Sequence, residues 1–290
     1  MAGTLYLVAT PIGNMEDMTY RAVRLLSEMD FIACEDTRTS RKLLDHFKIK
    51  TPTTSYHEFN KIEKAKLLLK KLEEGADIAV ITDAGTPGIS DPGEELVRMC
   101  YEDGINVTSI PGATASVVAV TSSGQPCRRF AFEAFLPKDK KERRRILEEL
   151  TTETRTIVLY EAPHHLKGTL KELLEALGDR SVTLCRELTK KFEEHQKTTL
   201  SEALSYYEEK EPRGEYVLVI APKPIEEIRE EAIQKWESLS LSEHMELYLK
   251  EGADKKSAMK SVAKDRGISK REVYQALLET EDAEPDEVAE

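Results

Sequence analysis

IAVITDAGTPGISDPG, Ile78 to Gly93, joins a short strand-like run to an eleven-residue loop, and these two parts together decide the fold. IAVIT (Ile78 to Thr82) has the length and β-branched content of a strand buried on both faces. Asp83 to Gly93 then holds three glycines, two prolines, two aspartates, a serine and a threonine, so it is a loop with exposed backbone. LVRMC beyond it has helical character. A strand-to-helix turn ordinarily takes about two to six residues, and this one is twice as long. It reads as a ligand loop at the carboxyl end of a buried strand, where open α/β sheets bind their ligands. The alternative is a rigid connector. Glycine admits a ligand close to the backbone and proline stiffens the path.

Working outward toward the N-terminus, TLYLVA (Thr4 to Ala9) predicts a buried first strand ending in the turn TPIGN (Thr10 to Asn14). Thr19 to Met29 has the 3.6-residue periodicity of a helix packed on a sheet. DFIAC (Asp30 to Cys34) is a second strand, and at its end EDTRTSRK (Glu35 to Lys42) gathers acids and bases. A short apolar-polar stretch near Thr53 to His57 precedes an amphipathic helix over Asn60 to Glu74. Past the loop, INVTSI (Ile105 to Ile110) is a strand, and PGATASVVAVTSSG (Pro111 to Gly124) is a glycine turn feeding a helix of small residues. Small residues there admit either a ligand or a close sheet.

From Arg129 the alternation begins again, with strands at FAFEAFL, Thr154 to Pro163, Ser181 to Leu188 and Gly214 to Pro222. Helices are expected from KDKKERRRILEEL, His165 to Leu177 and Leu200 to Glu209. Strands alternating with helices in both halves indicate two α/β domains, 1–124 and 125–222. Pro222 to Ile228 reads as a linker into a helical extension, 225–279, followed by an acidic tail, 280–290. Lys255 to Glu279 places Ala258, Val262, Ala263, Ile268, Val273, Leu277 and Leu278 as the core of two helices about a Gly267 turn. That is a helix-turn-helix pattern or a plain helical hairpin.

The 290 residues, 40% hydrophobic and 33% charged, describe a soluble globular protein with no stretch long enough to span a membrane. The N-terminus lacks the basic region of a signal peptide. Cys34, Cys100, Cys127 and Cys185 are scattered without a CxxC spacing or a histidine at ligand spacing, which argues for reduced thiols, a cytoplasmic address and no metal site. The net charge of −12 opposes a nucleic-acid partner, but seven of the negative charges lie in the last twelve residues, which leaves −5 for the rest. Two segments are locally basic: Lys138 to Arg145, with six basic and two acidic residues, and Lys250 to Glu272, with eight and four. Either could be a solvated helix face. Neither GxxxxGK[ST] nor GxGxxG occurs, which disfavours a nucleoside triphosphate or a dinucleotide.

Six motifs in order between Leu5 and Ile220, LVATPIGN, DAGTPGISDPG, SIPGATA, YEAPHHL, RELTKKFEE and GEYVLVI, resemble the class III S-adenosylmethionine-dependent methyltransferases, the tetrapyrrole methylase superfamily. Within it the chain is most similar to the small-subunit ribosomal RNA (cytidine-2'-O)-methyltransferase I family. Many superfamily members carry GDP where this chain has GTP at Gly85 to Pro87, a departure that belongs to the RNA branch. The resemblance implies two αβα domains with S-adenosylmethionine in the cleft between them, a homodimer, a helix-turn-helix-like C-terminal extension, and 16S rRNA in the small ribosomal subunit as partner. Carried over by motif, the cofactor pocket falls on Pro11, Gly13, Ala84, Gly85, Thr86, Ile89, Thr114, Ala115, Glu161, Ala162, and Gly214 to Val217. Two other readings stay open, a tetrapyrrole or other small-molecule methyltransferase of the same superfamily and a non-catalytic RNA-binding assembly factor.

Methylating a ribose hydroxyl requires alignment with the methyl donor and removal of the hydroxyl proton, or a cation to stabilise the alkoxide. Strand ends offer Asp36, Glu58, Glu161 and Glu187 as carboxylates and Arg38, Arg186, Lys190 and Lys191 as cations, all equally able to form salt bridges. Glu187 with Lys190 is favoured because RELTK closes a strand. RNA phosphates would meet Arg38, Arg41, Lys42, Lys138, Lys140, Lys141, Arg143, Arg144, Arg186, Lys191 and the C-terminal helices.

Overall fold

A computed structural model of the chain describes residues 1–58 and 60–281. Of the expected acidic tail, residues 282–290 lie outside the described residues. The described chain forms two compact units, Met1–Pro222 and Lys223 onward.

The first half of the larger unit is built on strands β1 (Thr4–Val8), β2 (Phe31–Cys34), β3 (Thr53–Ser55), β4 (Ile78–Ile81) and β5 (Asn106–Ile110). They run in the order β3-β2-β4-β1-β5 with every neighbouring pair parallel. Helices α1 (Tyr20–Glu28), α2 (Thr37–His46), α3 (Lys61–Glu73) and α4 (Glu94–Glu102) connect them, and α5 (Ala115–Ser122) follows β5. All residues of β4 are buried, because Leu68, Leu72 and Leu96 cover one sheet face and Leu26 and Leu44 the other. Each such fully buried leucine or isoleucine stabilises the fold by roughly 1.5–3 kcal/mol.

Helix α2 is absent from the sequence reading, which saw only the charges of EDTRTSRK. Asp36 caps it by accepting from Arg38 N at 2.8 Å, and Ser40, Leu43 and Leu44 supply a buried stripe at helical spacing.

The second half carries β6 (Phe130–Ala134), β7 (Thr156–Glu161), β8 (Ser181–Arg186), β9 (Glu194–Thr199) and β10 (Tyr216–Ile220), with α6 (Lys140–Leu150), α7 (Pro163–Leu177) and α8 (Leu200–Glu209). Its order is β6-β7-β10-β8-β9. Strand–helix alternation alone implies parallel pairing, yet β10 runs antiparallel to both β7 and β8, and β9 antiparallel to β8; only β6 and β7 are parallel. Strand β9, EHQKTT, escaped sequence reading because it is a polar edge strand without apolar alternation. Helix α5 joins the halves. Its Ala119 and Val120 pack with Val158, Cys185, Val217 and Val219 of the second sheet, and Ser116 N donates to Tyr160 Oη at 3.1 Å.

The smaller unit contains α9 (Ile225–Glu237), α10 (Leu241–Lys250), α11 (Lys255–Asp265) and α12 (Lys270–Glu281). The expected linker therefore gives way to helix at Ile225. Met245, Ala258, Met259, Val262, Ala263 and Val273 form the core, with Ile268 and Leu277 packed against it, whereas Leu278 is exposed, contrary to expectation. Gly267 turns between α11 and α12 at a φ of 64°, where an L side chain is strained. His244 is fully buried, stacked 3.9 Å from Trp236 and accepting from Arg266 Nε at 3.2 Å. Among the described residues no helix is long and apolar enough to cross a membrane.

Candidate active site

The loops at the strand ends of the two sheets enclose a cavity of about 410 Å³ within the larger unit. One wall is the loop after β4. Gly85 exchanges backbone hydrogen bonds with Thr10, at 2.8 and 3.1 Å, tying this loop to the turn after β1. At φ 85° Gly85 occupies a conformation side chains avoid, with Ile12 in van der Waals reach of where a Cβ would stand, at 3.4 Å. Thr86 Oγ1 meets Thr114 Oγ1 at 2.7 Å and Ala113 O at 3.2 Å, which fixes the PGATA turn beside it.

The same wall gathers Glu35, Asp83 and Asp91. Asp83 N donates to Glu35 Oε2 at 3.4 Å, and Asp36 N to Asp83 Oδ1 at 3.3 Å. Burial raises all three acids above the usual carboxylate range. For Asp91, desolvation and then the charges of Glu35 and Asp83 push the carboxyl up to about 7.

The opposite wall comes from the second sheet. Glu161 is buried, its carboxylate accepting from Thr169 Oγ1 and, at 2.8 Å, from Ala162 N. A register shift in β6 and a φ of 51° at Ala134 turn Phe135 into the cavity, 55% exposed and edge-on to Tyr160 at 5.6 Å. Lys190 lines the cavity while its Nζ donates to Glu187 Oε1 at 2.9 Å and Glu215 Oε2 at 2.8 Å. Glu187 also accepts from Glu215 N at 3.0 Å, and the Lys190 hydrogen bond holds its carboxyl below the usual range.

Of the residues expected around a cofactor, Ala84, Gly85, Thr86, Ile89, Thr114, Ala115, Glu161, Ala162 and Val217 line this cavity. Pro11, Gly13 and Gly214 are not among its lining residues. Gly13 and Gly214 instead make room for the ion pair: a Cβ on Gly13 would lie 2.4 Å from Lys190 Cγ, and one on Gly214 would lie 2.5 Å from Glu187 Cγ. Glu187 and Lys190 do meet, with Lys190 facing the cavity and Glu187 behind it. Asp36 is turned to Arg38, whose hydrogen bonds pull its carboxyl down to about 2. Glu58 pairs with Lys61 at 2.6 Å, away from the cavity lining.

The cations proposed from sequence occupy several separate elements. Arg38, Arg41 and Lys42 lie exposed on α2, and Arg38 and Arg41 border a shallow depression with Thr53 to Ser55. Lys138, Lys140 and Lys141 are exposed at the start of α6, where Arg144 pairs with Glu148 at 2.8 Å. Arg143 is a structural residue, holding Glu172 at 2.6 Å and Thr169 Oγ1 at 2.8 Å. Arg186 pairs with Glu194 at 2.9 Å, and Lys191 is exposed. Sequence reasoning missed Asp91, Asp83 and Glu35 as a group. Both aspartates were in view, inside a loop valued for its glycines.

The family model of the tetrapyrrole (corrin/porphyrin) methylases matches residues 4–204. The chain is 50% identical over 272 residues to the ribosomal RNA small subunit methyltransferase I of Halalkalibacterium halodurans, across 94% of this chain and 93% of that one. It is 47% identical over 274 residues to the protein of the same name from Bacillus subtilis, across 94% of each. Among solved structures, uroporphyrin-III C-methyltransferase from Thermus thermophilus complexed with S-adenyl homocysteine has the same fold, with a TM-score of 0.54 at 21% identity over 76% of this chain and 97% of that one. The chain thus belongs to the tetrapyrrole methylases, on the branch of the ribosomal RNA small subunit methyltransferases I.

Proposed function

We propose that this chain methylates the ribose 2'-oxygen of a cytidine in small-subunit ribosomal RNA, with S-adenosylmethionine as donor and the assembled subunit as substrate. Identity of 50% spread over 94% of the chain to a protein named for small-subunit rRNA methylation carries the reading. A homodimer in the cytoplasm is part of it.

The cavity fits the donor. Its volume is in the range of small-ligand clefts, about 300–1,000 Å³. Gly85 and Ala84 offer close backbone, Ile89 and Val217 an apolar face, and Thr86 and Thr114 hydroxyls. Glu35, Asp83 and Asp91 suit a cationic group and repel phosphate. Bound there, S-adenosylmethionine supplies a methyl group on a positively charged sulfur. Lys190 would stay fixed by Glu187 and Glu215, and Phe135 would present a stacking face to a base entering from the rim.

RNA would be held in part by the helical unit, where Lys255, Lys256, Lys270 and Arg271 border a shallow groove with Tyr274 and Met259. Replacing those four cations by alanine is expected to weaken binding and to flatten its salt dependence, by about 0.7–0.9 in log–log slope for each phosphate no longer neutralised. The deciding experiment incubates the chain with radiolabelled S-adenosylmethionine and small subunits from cells lacking it. Label on a ribose of 16S rRNA is the expected result. Label partitioning with a tetrapyrrole, or no S-adenosylmethionine binding by calorimetry, rejects the reading.

A further inference from the structure

Ribose methylation needs an acceptor for the hydroxyl proton, and the cavity holds several titratable side chains. From the second sheet these are Tyr160, Glu161, Cys185, Lys190, Glu215 and Tyr216; from the first, Glu35, Asp83 and Asp91. Glu161 is occupied by Thr169 and the Ala162 amide, and Lys190 and Glu215 are paired with each other. Burial pushes the Cys185 thiol up to about 12, so it stays neutral. On the first wall, no lysine or arginine among the described residues forms an ion pair with Glu35, Asp83 or Asp91.

The loop itself directs Asp91. Between Gly88 and Gly93 the backbone closes on itself, so that a Cβ on Gly93 would meet Gly88 N at 3.1 Å. Ser90, just before Asp91, holds a φ of 68°, a left-handed conformation that ordinary side chains rarely adopt. Strain of that kind gathers at functional sites. The Thr82 side chain hydrogen-bonds Asp91, and Asp91 lines the cavity beside Ile89 and Ser90.

We propose that Asp91 is the general base of methyl transfer, accepting the proton of the acceptor hydroxyl, an assignment that rests on the ribose reading above. Its carboxyl, raised to about 7, is half ionised near neutral pH, which is where a general base combines availability with driving force. The step balances. As the O–H bond breaks, the proton passes to the Asp91 carboxylate and the oxygen's electron pair forms the O–CH3 bond. The S–CH3 pair leaves with sulfur, so the positive sulfur and the negative carboxylate are both neutralised. Asp36, Glu187 and Glu161 do not compete, since the first two are held acidic by their cations and each oxygen of the buried third already accepts a hydrogen bond.

Single-turnover methylation of small subunits by wild type and Asp91→Asn, from about pH 5.5 to 9, tests this. The variant is expected to lose on the order of 10²- to 10⁴-fold in rate and the acidic limb of its pH profile. Its affinity for S-adenosylhomocysteine, which lacks the sulfonium charge, measured by calorimetry, should be unchanged. Carbon-13 NMR of the wild-type carboxyl should show Asp91 titrating near neutrality, a readout that holds even should the variant fail to fold. An undiminished rate, a retained acidic limb, loss of S-adenosylhomocysteine binding along with rate, or titration near 4 overturns the assignment. No label with wild type rejects the ribose reading itself, whereas label equal in both proteins rejects Asp91 alone.

Discussion

After β4, Asp83 and Asp91 stand beside Glu35 without a lysine or arginine ion-paired to any of them among the described residues; across the cavity, Glu187 and Glu215 share Lys190. The consequence is seen in opposite proton affinities. Asp91 is pushed up to about 7 by burial and its neighbours, while the Lys190 hydrogen bond holds Glu187 below the usual range. A carboxylate already satisfied can hold a shape but gains little by taking a proton. One left among like charges gains by it. The paired wall therefore serves geometry and the unpaired wall serves chemistry, although acids contribute to both.

The comparison breaks first at Gly214. Its φ of 79° is left-handed and its Cα faces Glu187, so Gly214→Ala must strain the backbone and displace the carboxylate from Lys190. The left-handed conformation alone costs about 1–2 kcal/mol and the weakened hydrogen bonding about 1 more, a total of roughly 2–3 kcal/mol. Thermal unfolding of the larger unit should shift down by roughly 4–12 °C at about 2–4 °C per kcal/mol. A double-mutant cycle locates the cause. In a Glu187→Ala background the substitution should cost measurably less, and an identical cost in both backgrounds rules out the clash.

Lys190→Met is the next test. It leaves Glu187 and Glu215 facing each other beside the cavity, and roughly 1–2 kcal/mol of stability should be lost at pH 7. The pH dependence follows from Glu187. Its folded-state carboxyl is held below the usual range, so the stability it contributes is present above its unfolded value of about 4.5 and fades as pH falls through the folded one. Urea denaturation of wild type and variant should therefore converge in acid and diverge at neutral pH. A loss that is the same at both pH values would mean that Lys190 acts through packing of its stem.

These effects also mark what a sequence can disclose. Strands such as IAVIT and YVLVI announce themselves because burial on both faces demands continuous apolar residues. Most of the cavity's first wall was legible for a related reason, since Gly85 and the PGATA turn must expose backbone and only certain residues permit it. The polar edge strand β9 left no such trace, because its pairing comes from a partner strand, whereas helix α2 did carry a local one in the Asp36 cap and the Ser40, Leu43 and Leu44 stripe, overshadowed by the charges of EDTRTSRK. The antiparallel insertion of β10 depends on which strands meet, not on the composition of any one. Gly13 and Gly214 fell within motifs that suggested cofactor contact, and their reason became visible only with Lys190 and Glu187 packed against them. The proton affinity of Asp91 was hidden likewise, since it comes first from burial in the folded chain and then from Glu35, which arrives from another strand end.

The smallest effect is the most informative about the unpaired wall, because it runs against the usual direction. Asp91→Asn removes a charge that the fold disfavours. The carboxyl rises from 3.8 to about 7 on folding, so the native state binds its proton more tightly than the unfolded chain. Stability is then fully present below about 4 and declines as pH climbs toward 7, the reverse of the Glu187 dependence. Because the group remains partly open to solvent, the benefit of removing it is discounted to about 1 kcal/mol. At pH 8 the variant should melt about 2–4 °C above wild type. At pH 4 the difference should vanish. A variant less stable at both pH values would show that the Thr82 hydrogen bond outweighs the repulsion, and the contrast between the walls would fail. A stabilised but slow enzyme would show that the wall keeps its charge for the reaction and at the expense of the fold.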